Sequence, residues 1–397
     1  MTLDRIYQAA HLLKPAVRRT EIIPYPWIQS DCELYLKAEN LQLTGSFKLR
    51  GAYFKISMLS DEDKKKGVIA CSAGNHAQGV ALAARDMGIK ATIFVPSVSP
   101  LSKIEATRRL GAEVKIVDGV YDDAHRAALE YQKECGMVFI HPFNDEDVIA
   151  GQGTIALEIL EDMPDVESII VPVGGGGLIS GIAYAVKKLR PSCKVYGVQA
   201  AGAGSMYASL ENGTLTKIPK VSTFADGIAV RAPGDITFDL CSQFVDQVVT
   251  VTDDEIATAI LTLMEQEKLV SEGAGAVSVA AILFDKLRLT GQKVCAIVSG
   301  GNVDVNILSR IIDRGLRTTG RLSEMNVEMI DKPGQLQEVS AIIASLGANV
   351  VKVLHNPSGE NTDINGCYLH LSMETKNKEH FQSIKDTMQA KGYRILS

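Results

Sequence analysis

Lys48 lies in Leu43-Thr44-Gly45-Ser46-Phe47-Lys48-Leu49-Arg50-Gly51-Ala52, a stretch that is otherwise mostly small, aromatic or apolar. A lysine amine does covalent chemistry only when its ammonium form is disfavoured, and a desolvated position at a loop-to-helix junction lowers its pKa by several units. Taken alone, Lys48 also reads as a solvated helix lysine, because most lysines are exposed. Three further stretches at the ends of apolar runs change that balance. Ser72-Ala73-Gly74-Asn75-His76 follows residues 68–71, Gly174-Gly175-Gly176-Gly177-Leu178 follows residues 169–173, and Ser299-Gly300-Gly301-Asn302 follows residues 294–298. Ligands of open α/β sheets bind at that edge of the strands.

Four consecutive glycines let the backbone curl until several N–H groups converge on an anion, and the helix opening at Leu178 adds its positive dipole end. The run also reads as a flexible connection. A dinucleotide site is disfavoured, since Gly-x-Gly-x-x-Gly is not satisfied and the next strand ends in Val198-Gln199-Ala200, where a ribose-binding acid is expected. Asn75 has a second reading as a cap of the helix that begins there. Phe47 either packs against a flat ligand or belongs to the core, Ser299 is either a neutral ligand partner or a buried loop serine, and His76 reads as structural.

The elements that carry these residues alternate regularly. Residues 3–13 have helical spacing and stop before Pro15, and 24–27 reads as a loop. Strands follow at 34–38, 68–71, 91–95, 113–117 and 137–141, separated by helices to about Leu59 and at 75–87, 101–110 and 122–134. A second series has helices at 149–161, 178–189, 253–266 and 274–287 and strands at 169–173, 194–199 and 294–298. Such a repeat implies two lobes of parallel sheet with crossover helices, facing a cleft. After a helix at 305–314 the pattern changes. Strands at 325–329, 349–354, 367–373 and 393–396 with helices at 334–346 and 378–390 give βαββαβ, a split-βαβ plan.

At 397 residues, with a hydrophobic content of 46% and a charged content of 22%, the chain is long enough for two or three globular units. A net charge of -6 without a basic tract argues against a nucleic-acid partner, and Lys64-Lys65-Lys66 reads as a solvated turn. The seven cysteines occur singly with no Cys-x-x-Cys pair, which suits reduced thiols. The N-terminus lacks the apolar core of a signal peptide, and no apolar run approaches the ~18 to 20 residues of a membrane span. A cytoplasmic location with no membrane partner is expected.

Ser-Phe-Lys-x-Arg-Gly-Ala, Ser-Ala-Gly-Asn-His-Ala-Gln-Gly, a tetraglycine loop and Ser-Gly-Gly-Asn, in this order, are jointly specific. Over about the first 320 positions the chain resembles the fold-type II pyridoxal-phosphate enzymes, and within them the threonine dehydratases (threonine ammonia-lyases). That resemblance implies a tryptophan synthase β-like catalytic domain at 1–318, with a small lobe at roughly 45–145 inserted in the large lobe. Lys48 would carry the pyridoxal 5'-phosphate as a Schiff base and act as the catalytic base. Phe47, Asn75 and Ser299 would flank the ring, with Asn75 on its hydroxyl and Ser299 on its nitrogen. Gly174, Gly175, Gly176, Gly177 and Leu178 would hold the phosphate, and Ser72, Ala73, Gly74 and Asn75 the substrate carboxylate. Asp331-Lys332-Pro333-Gly334-Gln335-Leu336 is similar to the Asp-x-Pro-Gly-x-Leu turn of ACT domains, which bind small effectors. A linker at 319–324 and a ferredoxin-like ACT regulatory domain at 325–397 follow, with Asp331, Pro333 and Gly334 as effector-binding residues.

The implied reaction is dehydration and deamination of L-threonine to 2-oxobutanoate and ammonia, with L-serine giving pyruvate, in a homodimer or homotetramer. Serine dehydration or racemisation on the same cofactor is the alternative. Similar racemases have a second serine where this chain has Ala73, whose methyl cannot accept a proton. Those relatives also hold a divalent cation where this chain offers Gln199, Ala203 and Ser205, so no metal is assigned, with a monovalent cation on backbone carbonyls left as the alternative. A non-catalytic amino-acid sensor is the reading from another class.

Overall fold

A computed structural model describes residues 1–27, 31–356 and 365–396. The chain divides into two compact units, Met1–Asp304 and Val305–Ser397. Among the described residues no helix is long and apolar enough to cross a membrane.

Ten strands form the two sheets of the first unit: β1 Ile22–Pro24, β2 Glu33–Lys37, β3 Val68–Cys71, β4 Ala91–Pro96, β5 Glu113–Val117, β6 Val138–Phe139, β7 Ser168–Pro172, β8 Lys194–Ala200, β9 Gln247–Val251 and β10 Lys293–Ile297. The larger sheet runs β1-β2-β10-β7-β8-β9 and the smaller β5-β4-β3-β6. All pairs are parallel except β1 with β2. The continuous apolar runs explain this: every residue of β3, β4 and β7 is buried, as strands covered on both faces require. The smaller sheet lies in sequence between β2 and β7, so one lobe is inserted in the other.

Close helix packing sets the position of Lys48, the first residue of the helix Lys48–Ser57. Gly51 and Gly151 let this helix meet Glu146–Asp162; a Cβ on Gly151 would fall 2.7 Å from the Gly51 Cα. Gly79 brings Asn75–Asp86 equally near, since its Cβ would lie 3.2 Å from the Lys48 carbonyl oxygen. Arg50, fully buried one turn into the helix, pairs with Glu39 at 2.7 Å and Glu158 at 2.6 Å. Lys37 joins the network through Glu158 at 2.7 Å.

Several elements differ from the sequence reading. The first strand takes in Pro24, at the start of the expected loop 24–27. Lys64-Lys65-Lys66 is not a turn but the end of a short helix, Asp61–Lys66, capped by Ser60 and carrying acids in its first turn and lysines in its last. Edge strand β9 and the helices Ser205–Asn212 and Asp235–Phe244 went unread. The helix expected at 274–287 runs Gly273–Leu283.

The second unit contains the helix Val305–Thr318, β11 Leu322–Ile330, the helix Gln335–Ser345, β12 Asn349–Asn356, β13 Gly366–Glu374, the helix Lys378–Ala390 and β14 Arg394–Leu396. From β11 onward the order is βαββαβ, with an antiparallel sheet β12-β13-β11-β14. Alternate residues Met325, Val327 and Met329 face a core shared with Leu369, Leu371, Val339, Ile343, Ile384 and Met388. The unit boundary falls at 304/305, and Val305–Thr318 groups with this unit, whereas the sequence reading ends the first unit at 318. Likewise β11 starts at Leu322, inside the stretch read as a linker.

Candidate active site

Lys48 is half-buried, and its amine sits among protein atoms, with Nζ donating to the Pro142 carbonyl at 3.0 Å. Burial pushes this amine down to about 8, against the opposing pull of the Glu272 carboxylate. The ring of Phe47 lies 5.2 Å from Nζ and packs on the core of the larger lobe. Thus the core reading of Phe47 holds without removing it from the lysine.

The segment after β6 ties the lysine to the glycine run. His141 Nδ1 accepts from the N–H of Asn144 at 2.8 Å and of Phe143 at 3.3 Å, folding a turn that presents Pro142 to Lys48. Phe143 in turn covers the glycines: a Cβ on Gly177 would fall 2.9 Å from its Cα, and one on Gly175 would fall 2.4 Å from its ring. Gly176 adopts φ 98 at the N-terminus of the helix Gly177–Leu189, where no side chain caps the first turn. An uncapped helix end of this kind presents unsatisfied N–H groups and a partial positive charge, the requirements of an anion site.

Asn75 opens the helix Asn75–Asp86 but does not cap it; Gly74 holds the cap position with no side-chain bond. Its Nδ2 instead donates to Glu272 Oε1 at 2.6 Å, and its Oδ1 accepts from Asn302 Nδ2 at 2.7 Å. Asn302 also donates to the Thr44 carbonyl at 2.7 Å, and Phe47 N donates to the Ser299 carbonyl at 3.1 Å. The lysine loop, the asparagine loop and the loop after β10 are therefore pinned together. Ser299 is buried, with Oγ donating to the Ala274 carbonyl at 3.3 Å. Ser72 Oγ accepts from Gly74 N at 3.1 Å, and Ala73 packs against the smaller lobe's core.

Glu272 was not singled out from the sequence. It stands immediately before the buried helix Gly273–Leu283, and its own side chain is almost wholly buried. Burial raises its carboxyl to about 7, reinforced by Asp226 and opposed by Lys103, Asn75 and Lys48. Lys103 of the smaller lobe and Asp226 of the larger form an ion pair near it. The only local signal was a lone acid ahead of small residues, and its partners come from distant segments. His76 is also buried, with Nε2 donating to the Ile140 carbonyl at 2.8 Å and its pKa lowered to about 3 by burial, so it is a neutral structural group.

A desolvated amine, a buried carboxyl of near-neutral pKa and an uncapped helix end thus come together, an arrangement that would suit covalent handling of a phosphorylated carbonyl compound. Asp331, Pro333 and Gly334 belong to the other unit, where all three are exposed at the turn after β11, with Gly334 at φ 94.

Residues 13–300 match the profile of the family described as pyridoxal-phosphate dependent enzyme. The L-threonine ammonia-lyase of Thermotoga maritima is 52% identical over 100% of this chain and 99% of its own length. Threonine deaminase isoform 2 of Solanum lycopersicum, in its processed form, superposes with a TM-score of 0.74 at 37% identity, over 79% of this chain and 94% of that one. Maize serine racemase superposes with a TM-score of 0.74 at 37% identity, over 79% and 97%.

Proposed function

Because the chain belongs to the pyridoxal-phosphate-dependent enzymes, we propose that it converts L-threonine to 2-oxobutanoate and ammonia, with Lys48 as the amine through which the reaction runs. The residues present fit the cofactor. The uncapped end of Gly177–Leu189 would hold its phosphate, Lys48 would take its aldehyde, and the buried Ser299 hydroxyl would offer its ring nitrogen a neutral partner. When bound, the cofactor supplies an electron sink for the charge left at the substrate Cα.

The residues around it do the rest. Lys48, lowered to about 8, is neutral in an appreciable fraction of molecules near neutral pH, so its amine would hold the cofactor and, when free, could take the substrate Cα proton at Nζ. Asn75 is held by Glu272 and Asn302 beside the lysine loop, a position suited to the ring hydroxyl. The Ser72, Ala73, Gly74 and Asn75 loop supplies donors for the substrate carboxylate. A neutral Ser299 hydroxyl beside the ring nitrogen would leave a weaker electron sink than an acid would, which would suit loss of the β-hydroxyl.

Threonine over racemisation is supported by Ala73, whose methyl cannot return a proton to the opposite face of Cα. Serine dehydration to pyruvate is a secondary activity of the same site. The 325–397 region acts as an amino-acid-binding ACT module, with isoleucine or valine at the Asp331, Pro333 and Gly334 turn, in a cytoplasmic homodimer or homotetramer. The observation that carries the reading is the desolvated Lys48 amine, electrostatically coupled to the buried Glu272 that holds Asn75.

One assay tests it. Purified protein with pyridoxal phosphate should release 2-oxobutanoate from L-threonine, and pyruvate faster than D-serine from L-serine. D-serine forming faster than pyruvate would replace elimination with racemisation. A chain ending at Asp304 should keep the activity and lose any response to isoleucine or valine; a response retained in full would move the effector site out of the C-terminal unit.

A further inference from the structure

At one end of the sheet in the C-terminal unit, three chemically different metal donors meet. Asp331 follows β11, His355 stands near the end of β12 and Cys367 near the start of β13. Their donor atoms all lie within 4.8 Å of one another, with His355 Nε2 3.4 Å from Asp331 Oδ1. The register accounts for the meeting. Val327 pairs with Leu369, Met329 with Cys367 and His355 with Leu369. Directly paired residues share a face, so His355 and Cys367 project on the side of Val327, Met329 and Leu369, the side that forms the core. Asp331 lies two residues beyond Met329, with its N–H held by the Asn365 carbonyl at 2.8 Å. Cys367 is buried, while Asp331 and His355 are exposed. The thiol therefore sits on the inner side of the group and the carboxylate and imidazole on the solvent side.

We propose that Asp331, His355 and Cys367, the donors among the described residues, form a binding site for a borderline divalent cation, zinc first. The donor set argues for the metal. Thiolate and imidazole select zinc over magnesium or calcium, which take oxygen ligands. Zinc bonds of ~2.3 Å to sulfur and ~2.0–2.2 Å to nitrogen and oxygen place tetrahedral donors roughly 3.3–3.7 Å apart, a contraction from the present spacing that side-chain rotation can supply. As the sulfur–zinc bond forms, the Cys367 thiol releases its proton to solvent, and no electron is transferred. The ion would clip β11, β12 and β13 together immediately before the Lys332-Pro333-Gly334 turn. A plain Asp331–His355 ion pair beside an inert core thiol is the competing account.

Full-length holoenzyme treated with chelator, then equilibrated with zinc and gel-filtered, should retain one zinc per chain by elemental analysis. X-ray absorption should show one sulfur at ~2.3 Å among lighter ligands. His355→Ala, at an exposed position, and Cys367→Ser should each weaken zinc binding at least tenfold, with bound pyridoxal phosphate unchanged. Cys135→Ser, at an exposed cysteine of the other unit, should bind zinc as the wild type does. Zinc lost on gel filtration, a shell without sulfur, or His355→Ala binding like the wild type would overturn the site. If Cys367→Ser does not fold, the His355 variant and the absorption spectrum still decide.

Discussion

Asn75 and Glu272, 197 positions apart in sequence and carried by different lobes, meet in a 2.6 Å hydrogen bond from Nδ2 to Oε1. The bond engages the first residue of the helix Asn75–Asp86 with a buried carboxyl that acts electrostatically on Lys48, whose amine is lowered to about 8. Burial brings these two titratable groups near neutrality from opposite directions, against their mutual attraction, a pattern typical of acid and base partners.

Glu272→Gln should expose that coupling. The carboxylate's negative charge favours the Lys48 ammonium, so removing it should lower the amine further, and the pH midpoint of Lys48 acylation in apoenzyme should fall below 8. In the wild type, turnover should decline as the pH drops through about 7 and the carboxyl gains its proton. The glutamine variant should lack that acid limb and turn over about 10² times more slowly. A pH profile and acylation midpoint like those of the wild type would show that Glu272 only packs the site.

Arg50 tests what holds the lysine helix in place. It is fully buried between Glu39 and Glu158, so Arg50→Met leaves Glu39 buried without its cation. Removing one partner of such a pair costs about 3–5 kcal/mol. The urea midpoint followed by circular dichroism should fall accordingly, and an unchanged midpoint would show the network to be relaxed by water.

Gly177→Ala tests the anion cradle. The added methyl would lie 2.9 Å from the Phe143 Cα and 3.0 Å from its carbonyl oxygen, so backbone must shift at the helix end proposed for the phosphate. Pyridoxal phosphate affinity, measured by equilibrium dialysis, should fall at least tenfold while the circular dichroism spectrum is retained. Unaltered affinity would place the phosphate elsewhere.

Much of this arrangement was legible because its signals are local. Lys48 in its small-residue setting, the glycine run and the Ser299 loop each come after a strand, and the βαββαβ order of elements marked the C-terminal sheet. Glu272 was not legible, because its meaning comes from Asn75, Lys48 and Lys103 across the cleft and not from its neighbours in sequence. The edge strand Gln247–Val251 was missed for a related reason: five residues beside a long irregular stretch carry little periodicity of their own. Phe47 is partly buried against the core with its ring 5.2 Å from the amine, a placement compatible with either of its two readings.

On the proposed function, Lys48 is the amine through which the cofactor is held and the reaction proceeds. Borohydride treatment of the protein with pyridoxal phosphate, followed by peptide mapping, measures this directly. The pyridoxyl group should be recovered on Lys48 alone, and Lys48→Ala should take up no label and form no 2-oxobutanoate from L-threonine. Recovery of the label on a different lysine, with turnover retained in the Lys48→Ala variant, would contradict the account.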